Sequence, residues 1–222
     1  MSPGVKIFGS PTSAEVARVL MCLFEKDVEF QLIRVDNYKG TKRMPDYLKL
    51  QPLGQALTFE DGNTTLVESR AICRYIANAY PEQGNRDLIG RGMLERASIE
   101  QWLETEAHSF DPPSSALVFN LAFSPLMGME PDEEVVKDSK SKLNKVLDIY
   151  EQRLKEARFL AGDNFTLADL SHLPTAQRLV SNAGCRSMFT SRGRVNEWWQ
   201  EISRRDAWRK VVAMQQEPPP MI

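Results

Sequence analysis

The hydrophobic period switches between about two residues and about 3.6 residues within the first eighty positions, and that alternation limits the fold more than any other feature. Val5–Phe8 is an apolar run that reads as a strand. Gly9-Ser10-Pro11-Thr12 turns the chain. Ala14, Ala17, Val19, Leu20, Leu23 and Phe24 then recur at helical spacing, which predicts an amphipathic helix over Ala14–Lys26. Glu29–Val35, with Phe30, Leu32 and the β-branched Ile33 and Val35, predicts a second strand. Ala56–Glu60 and Thr64–Val67 flank Asp61-Gly62-Asn63, a hairpin signal because glycine tolerates positive φ. Glu68–Ala79 places Ala71, Ile72, Tyr75 and Ile76 on one helical face. The order β-α-β followed by β-β-α implies two parallel strands joined by a right-handed crossover, with an antiparallel hairpin at the edge.

Beyond Tyr80-Pro81-Glu82-Gln83-Gly84-Asn85, a linker by its Pro, Gly and polar content, no strand pattern follows. Helical periodicity marks Leu94–His108, Val135–Ala157, Leu167–Ser181 and Val195 to about Met214. Asp111-Pro112-Pro113 is expected to interrupt the chain before a more apolar helix through Ala116–Phe123. Thr166-Leu167-Ala168-Asp169 has the form of a capping box with Asp in the Glu position, and Phe165 stands where a hydrophobic staple would. The expected organisation is an α/β domain over residues 1–81 and an all-helical domain over residues 92–222.

With 28 basic and 30 acidic residues the formal net charge is −2, so nucleic acid is not the expected main partner, because phosphate binding needs a concentrated basic surface. The three cysteines, Cys22, Cys73 and Cys185, are widely spaced in apolar surroundings and read as small buried hydrophobes of a reducing compartment. There is no CxxC, and His108 and His172 are the only histidines, so no metal is expected. Met1-Ser2-Pro3-Gly4 does not open a basic-then-apolar leader, and Ala116–Phe123 is far too short to span a bilayer. A cytoplasmic setting is expected.

Candidate binding residues cluster at the element boundaries. Ser13 sits where a strand hands over to a helix, the place where free backbone N–H groups and the helix dipole favour an anion. A serine there can bind a ligand, or it can simply cap the helix. Lys42 and Arg43 follow a turn-rich loop and suit an anionic group, or are an ordinary exposed polar stretch. Glu68 and Ser69 open a helix, where such residues are common without any ligand. Neither histidine neighbours Ser13, and no G-x-S-x-G surrounds it, so hydrolase chemistry is a poor fit.

A series of segments carries a family resemblance. Ser13 with Val16-Ala17-Arg18-Val19, Gln51-Pro52-Leu53-Gly54-Gln55, Phe59-Glu60-Asp61-Gly62 and Glu68-Ser69-Arg70-Ala71-Ile72 resembles the cytosolic glutathione S-transferases, most closely the plant phi class. Val146-Leu147-Asp148-Ile149-Tyr150-Glu151, Phe159-Leu160-Ala161-Gly162-Asp163, Phe165-Thr166-Leu167-Ala168-Asp169-Leu170 and Val195-Asn196-Glu197-Trp198-Trp199 extend the likeness over essentially the whole chain. The resemblance implies a thioredoxin-like α/β domain followed by an all-α domain. It also implies conjugation of reduced glutathione, the co-substrate, to hydrophobic electrophiles, with peroxide reduction as a side activity.

Carried over by position, Ser13 matches the serine that stabilises the thiolate, and Lys42 and Arg43 match the pair that holds the glycine carboxylate. Gln55 and Ala56 match the strand entry that pairs with the cysteinyl backbone. Glu68 and Ser69 match the residues that take the γ-glutamyl amine and carboxylate. Thr12, Phe119 and Phe123 match the electrophile site, expected between the domains, although the two aromatics would also suit helix packing. A homodimer is implied, and no cofactor beyond glutathione.

The chemistry is sufficient in magnitude. Moving a thiol of pKa about 8.5 down by one to two units takes roughly 1.4 to 2.7 kcal/mol. A hydrogen bond to a charged acceptor is worth about 1.5–3 kcal/mol and a helix N-terminus about 0.3–1 kcal/mol. Two positions depart from the family pattern: Lys42 stands where histidine is frequent, and Leu57 stands where the family has a cis proline. A non-proline cis bond costs about 2.5–4 kcal/mol, so the Leu57 peptide is expected trans, which could misalign the backbone pairing to glutathione. That departure gives weight to an alternative function, a weakly catalytic carrier of flavonoids or other aromatic ligands.

Overall fold

The structure, a computed structural model, describes residues 4–34 and 57–217. Four strands form one sheet in the order β2-β1-β3-β4, with β1 over Val5–Phe8, β2 over Phe30–Ile33, β3 over Thr58–Asp61 and β4 over Thr64–Leu66. β1 runs parallel to β2, pairing Val5 with Phe30, and antiparallel to β3, pairing Phe8 with Thr58. The β3–β4 hairpin closes through Gly62-Asn63, with Asp61 opposite Thr64 and Gly62 at φ 58°, as the sequence predicts.

The crossover helix α1, Ala14–Glu25, is buried from Val16 to Leu23 without a break. An uninterrupted burial pattern means that the helix is covered on several sides. Helix α2, Ser69–Ala79, packs against it, bringing Cys22 and Cys73 together at 0% and 1% exposure. Each thiol donates to a carbonyl of the opposite helix, Cys22 to Cys73 O and Cys73 to Arg18 O, both at 3.6 Å. The linker returns close to the end of α1: Asn85 N–H bonds Glu25 O at 2.7 Å. At Gly84, a side chain would collide with that same oxygen.

The helical segments that follow are α3 (Met93–Thr105), α4 (Asp111–Val118), α5 (Glu133–Arg153), α6 (Leu167–Leu170), α7 (Leu173–Ser181), α8 (Arg186–Thr190), α9 (Gly193–Ser203) and α10 (Asp206–Gln216). Two expectations are corrected. First, Asp111-Pro112-Pro113 does not interrupt the chain. A π-helical turn over Glu106–Phe110 leads directly into α4, which opens on Asp111 with the prolines in its first turn, where missing N–H donors are tolerated. Second, the periodic stretch from Val195 to Met214 divides at Arg204-Arg205 into α9 and α10.

The described residues form two compact units. The first holds the described residues up to Arg86 together with those from Asp206 onward, and the second holds Asp87–Arg205. α10 therefore belongs with the sheet: it packs on α1 and buries Ala207, Trp208 and Val211. Periodicity reports that a helix has an apolar face, not which neighbour covers it.

In the second unit the capping box forms as expected, with Thr166 N–H bonding Asp169 Oδ2 at 3.1 Å and Ala168 N–H bonding Thr166 Oγ1 at 3.3 Å. Phe165 is buried against Phe159 and lies beneath the Arg205 guanidinium, 3.9 Å from the ring centroid. The core is aromatic. Tyr150 OH meets His172 Nε2 at 2.8 Å, and Phe110 and Trp198 pack edge-on to the imidazole. Among the described residues no helix is long and apolar enough to cross a membrane.

Candidate functional site

Strand register puts the Ser13 turn, Leu57 and the Glu68-Ser69 helix start at one end of the sheet. β1 ends at Phe8, β3 begins opposite it at Thr58, and β4 ends at Leu66 opposite Phe59. The turn carrying Ser13, the entry at Leu57 and the start of α2 all leave that same edge.

Ser13 occupies the N-cap position of α1 in extended backbone, φ −75° and ψ 138°, and its carbonyl accepts from Ala17 N–H at 2.9 Å. Its hydroxyl does not cap the helix. It is half-buried and donates to Glu15 Oε2 at 3.1 Å instead. The backbone thus takes the capping position while the hydroxyl stays at the mouth of the helix, where the first-turn N–H groups and the positive end of the dipole lie. The turn is pinned by Ser13 N–H to Ser10 O at 2.9 Å and by the α10 side chain of Gln215, whose Nε2 donates to Pro11 O at 2.9 Å. Thr12 is exposed and its hydroxyl meets Ser10 Oγ at 2.8 Å.

Glu68 precedes α2 at φ 68°, ψ 102°, a left-handed conformation that glutamate adopts only against a steric cost, on the order of 1–3 kcal/mol. Ser69, the first residue of α2, is 3% exposed, and its Oγ accepts from Nη1 of the buried Arg18 at 2.7 Å. The first unit therefore offers two helix starts at one sheet edge, each with a hydroxyl and both suited to anionic groups.

Lys42, Arg43, Gln55 and Ala56 lie outside the described residues, as does the peptide bond entering Leu57. Leu57 itself is 2% exposed at the head of β3. Phe119 and Phe123, in a second π-helical turn, are 46% and 38% exposed, so neither ring is core packing; Arg178 stands 5.3 Å over Phe123. They belong to the second unit and Thr12 to the first. His108 is exposed and meets Glu104 at 3.1 Å, while Trp198 is buried. Among the described residues no cluster of His, Cys, Asp and Glu is placed to hold a metal ion.

The contacts of Arg18, Glu15 and Gln215 do not follow from local sequence pattern. A charge among the apolar positions of α1 was a signal for the first. The other two needed the folded chain.

Comparison with known proteins agrees over most of the length. Residues 3–78 match the family model "Glutathione S-transferase, N-terminal domain", and residues 115–206 match "Glutathione S-transferase, C-terminal domain". Glutathione S-transferase F10 of Arabidopsis thaliana is 46% identical over 204 residues, 92% of this chain and 94% of that protein. Glutathione S-transferase PARB of Nicotiana tabacum is 42% identical over 206 residues, 93% of this chain and 96% of its own. The crystal structure of glutathione transferase F2 from Populus trichocarpa superposes with a TM-score of 0.94 at 54% identity, covering 96% of this chain and 99% of that one. Glutathione S-transferase I from maize, solved in complex with an atrazine–glutathione conjugate, superposes with a TM-score of 0.88 at 30% identity over 97% and 99% of the two chains.

Proposed function

This chain belongs to the phi class of the glutathione S-transferase family, and on that premise we propose how its residues carry out glutathione conjugation. Ser13 donates a hydrogen bond from its hydroxyl to the glutathione sulfur and holds it as the thiolate. The thiol proton passes to solvent, the sulfur attacks the electrophilic carbon, and the leaving group departs with the electron pair of the bond it breaks. No covalent enzyme intermediate is needed, and much of the acceleration comes from holding the two reactants side by side.

The observation that carries this reading is the Ser13 hydroxyl left unused as a cap at the mouth of α1. Glu68 and Ser69 take the γ-glutamyl amine and carboxylate, supported by the α2 helix start at the same sheet edge. Lys42 and Arg43 take the glycine carboxylate, and Gln55 and Ala56 pair with the cysteinyl backbone, both assigned by family position. Thr12, Phe119 and Phe123 meet the electrophile; the exposure of both rings supports that role. A homodimer in the cytoplasm completes the proposal on family grounds. The relatives carry the transferase name, so the carrier reading is not adopted.

The test is turnover of a chloronitrobenzene by wild type and Ser13→Ala at saturating glutathione. Loss of the hydrogen bond to a charged acceptor, about 1.5–3 kcal/mol, should lower kcat roughly 10- to 100-fold and raise the apparent thiol pKa of the bound glutathione. An unchanged rate and an unchanged pH profile would remove Ser13 from the chemistry.

A further inference from the structure

Arg18 carries a charge into the interior of the first unit. It stands on α1 about one and a half turns beyond Ser13, is 2% exposed, and has Val16, Ala17, Val19 and Leu20 as buried neighbours on the helix. Burying a guanidinium is unfavourable unless its donors are matched, and a Met or Leu would fill the same space without that cost. Its Nη1 reaches across to α2 and donates to Ser69 Oγ at 2.7 Å, with both side chains out of solvent.

That bond has a consequence for the hydroxyl. An oxygen that accepts from a guanidinium has one lone pair occupied and its rotamer fixed, which leaves its proton to be donated elsewhere. Among the described residues the Ser69 hydroxyl donates to no acceptor. Ser69 is also the first residue of α2, so its hydroxyl, the helix N–H groups and the guanidinium behind them all favour one negatively charged group.

We propose that Arg18 is a positioning residue for glutathione, holding Ser69 in the rotamer that donates to the γ-glutamyl carboxylate and backing that contact with positive charge. The inference rests on the reading of Ser69 as a glutathione contact given above. Arg18 acts through Ser69 on binding and leaves the reacting sulfur to Ser13.

The experiment compares wild type, Arg18→Met, Arg18→Gln, Ser69→Ala and the double variants Arg18→Met/Ser69→Ala and Arg18→Gln/Ser69→Ala. It reads KM for glutathione, kcat with a chloronitrobenzene, and the thermal midpoint. Arg18→Met and Arg18→Gln should each raise KM for glutathione roughly five- to tenfold with kcat within about twofold of wild type, as expected for one lost ligand hydrogen bond. In the Ser69→Ala background the same changes should add less than about twofold, because the partner through which Arg18 acts is gone.

A role confined to joining α1 to α2 would lower the thermal midpoint and leave KM unchanged, which overturns the proposal. So would Arg18 and Ser69 effects that multiply in full. If Arg18→Met does not fold, the Arg18→Gln variants decide by the same criteria. Should Ser69→Ala leave KM unmoved, the glutathione contact itself fails and takes this inference with it. A raised KM in Ser69→Ala with none in Arg18→Gln defeats the Arg18 role alone.

Discussion

Trp198 donates its indole Nε1–H to Oδ1 of Asp169 at 2.9 Å, tying α9 to the start of α6 inside the second unit. The same oxygen accepts Leu160 N–H at 3.1 Å, and Oδ2 accepts the Thr166 N–H and hydroxyl at 3.1 and 3.3 Å. Four donors from three segments thus converge on one fully buried carboxylate. Asp169→Ala strands all four and should cost on the order of 3–5 kcal/mol in urea unfolding followed by tryptophan fluorescence. Asp169→Asn keeps one oxygen but turns an NH₂ toward another donor, so its loss should be smaller. Equal losses would mean that packing, not the hydrogen bonds, holds the site.

Asp169 also makes stability depend on pH. Burial pushes its carboxyl from the ordinary 3.8 up to about 6, against the opposing pull of the bonds from Leu160, Trp198 and Thr166. The folded state therefore binds this proton more tightly than the unfolded chain. Its contribution is fully present below about pH 4 and is lost as pH rises through about 6. The stability gap between wild type and Asp169→Asn should accordingly be wider at pH 4 than at pH 7. A gap that stays constant over that range would contradict the raised carboxyl pKa.

Glu68 separates binding from backbone strain. Its φ of 68° is open to glycine without penalty and disfavoured for any side chain with a Cβ. Glu68→Ala and Glu68→Gly both delete the carboxylate, so both should weaken glutathione binding by a similar factor. Only the glycine variant relieves the strain, and it should be about 1–2 kcal/mol more stable than the alanine variant. Calorimetric titration with glutathione alongside thermal unfolding checks both halves. An alanine variant as stable as glycine would show that the conformation stores no strain.

What could be read in advance follows the range of the interactions concerned. The strand runs, the Gly62-Asn63 turn and the Thr166–Asp169 box are short-range patterns, and each appears where the sequence puts it. The π-helical turn at Glu106–Phe110 and the attachment of α10 to α1 depend on which surfaces meet, and periodicity is blind to that. Ser13 was legible as a residue at a strand-to-helix boundary, yet its bond to Glu15 and its pinning through Gln215 were not. Arg18 was visible as a misplaced charge, but its partner, 51 residues away, emerged only with the fold.

Glu15 gives a last handle on the nucleophile. The Ser13 hydroxyl donates to Glu15 Oε2, so under the proposed role of Ser13 glutathione takes over a hydrogen bond that a carboxylate holds. Glu15 is exposed in the first turn of α1, where an acid favours the helix by about 0.3–1 kcal/mol but repels a thiolate placed at the same helix mouth. Glu15→Gln keeps an acceptor for the hydroxyl and removes the charge. It should lower the apparent pKa of the glutathione thiol in the complex by a few tenths of a unit and raise kcat/KM about two- to threefold near pH 6.5, at a small cost in thermal stability. Stopped-flow absorbance of the bound thiolate across pH reads the shift directly. If the pKa moves upward instead, Glu15 assists the thiolate by orienting Ser13, and its charge is not the dominant effect.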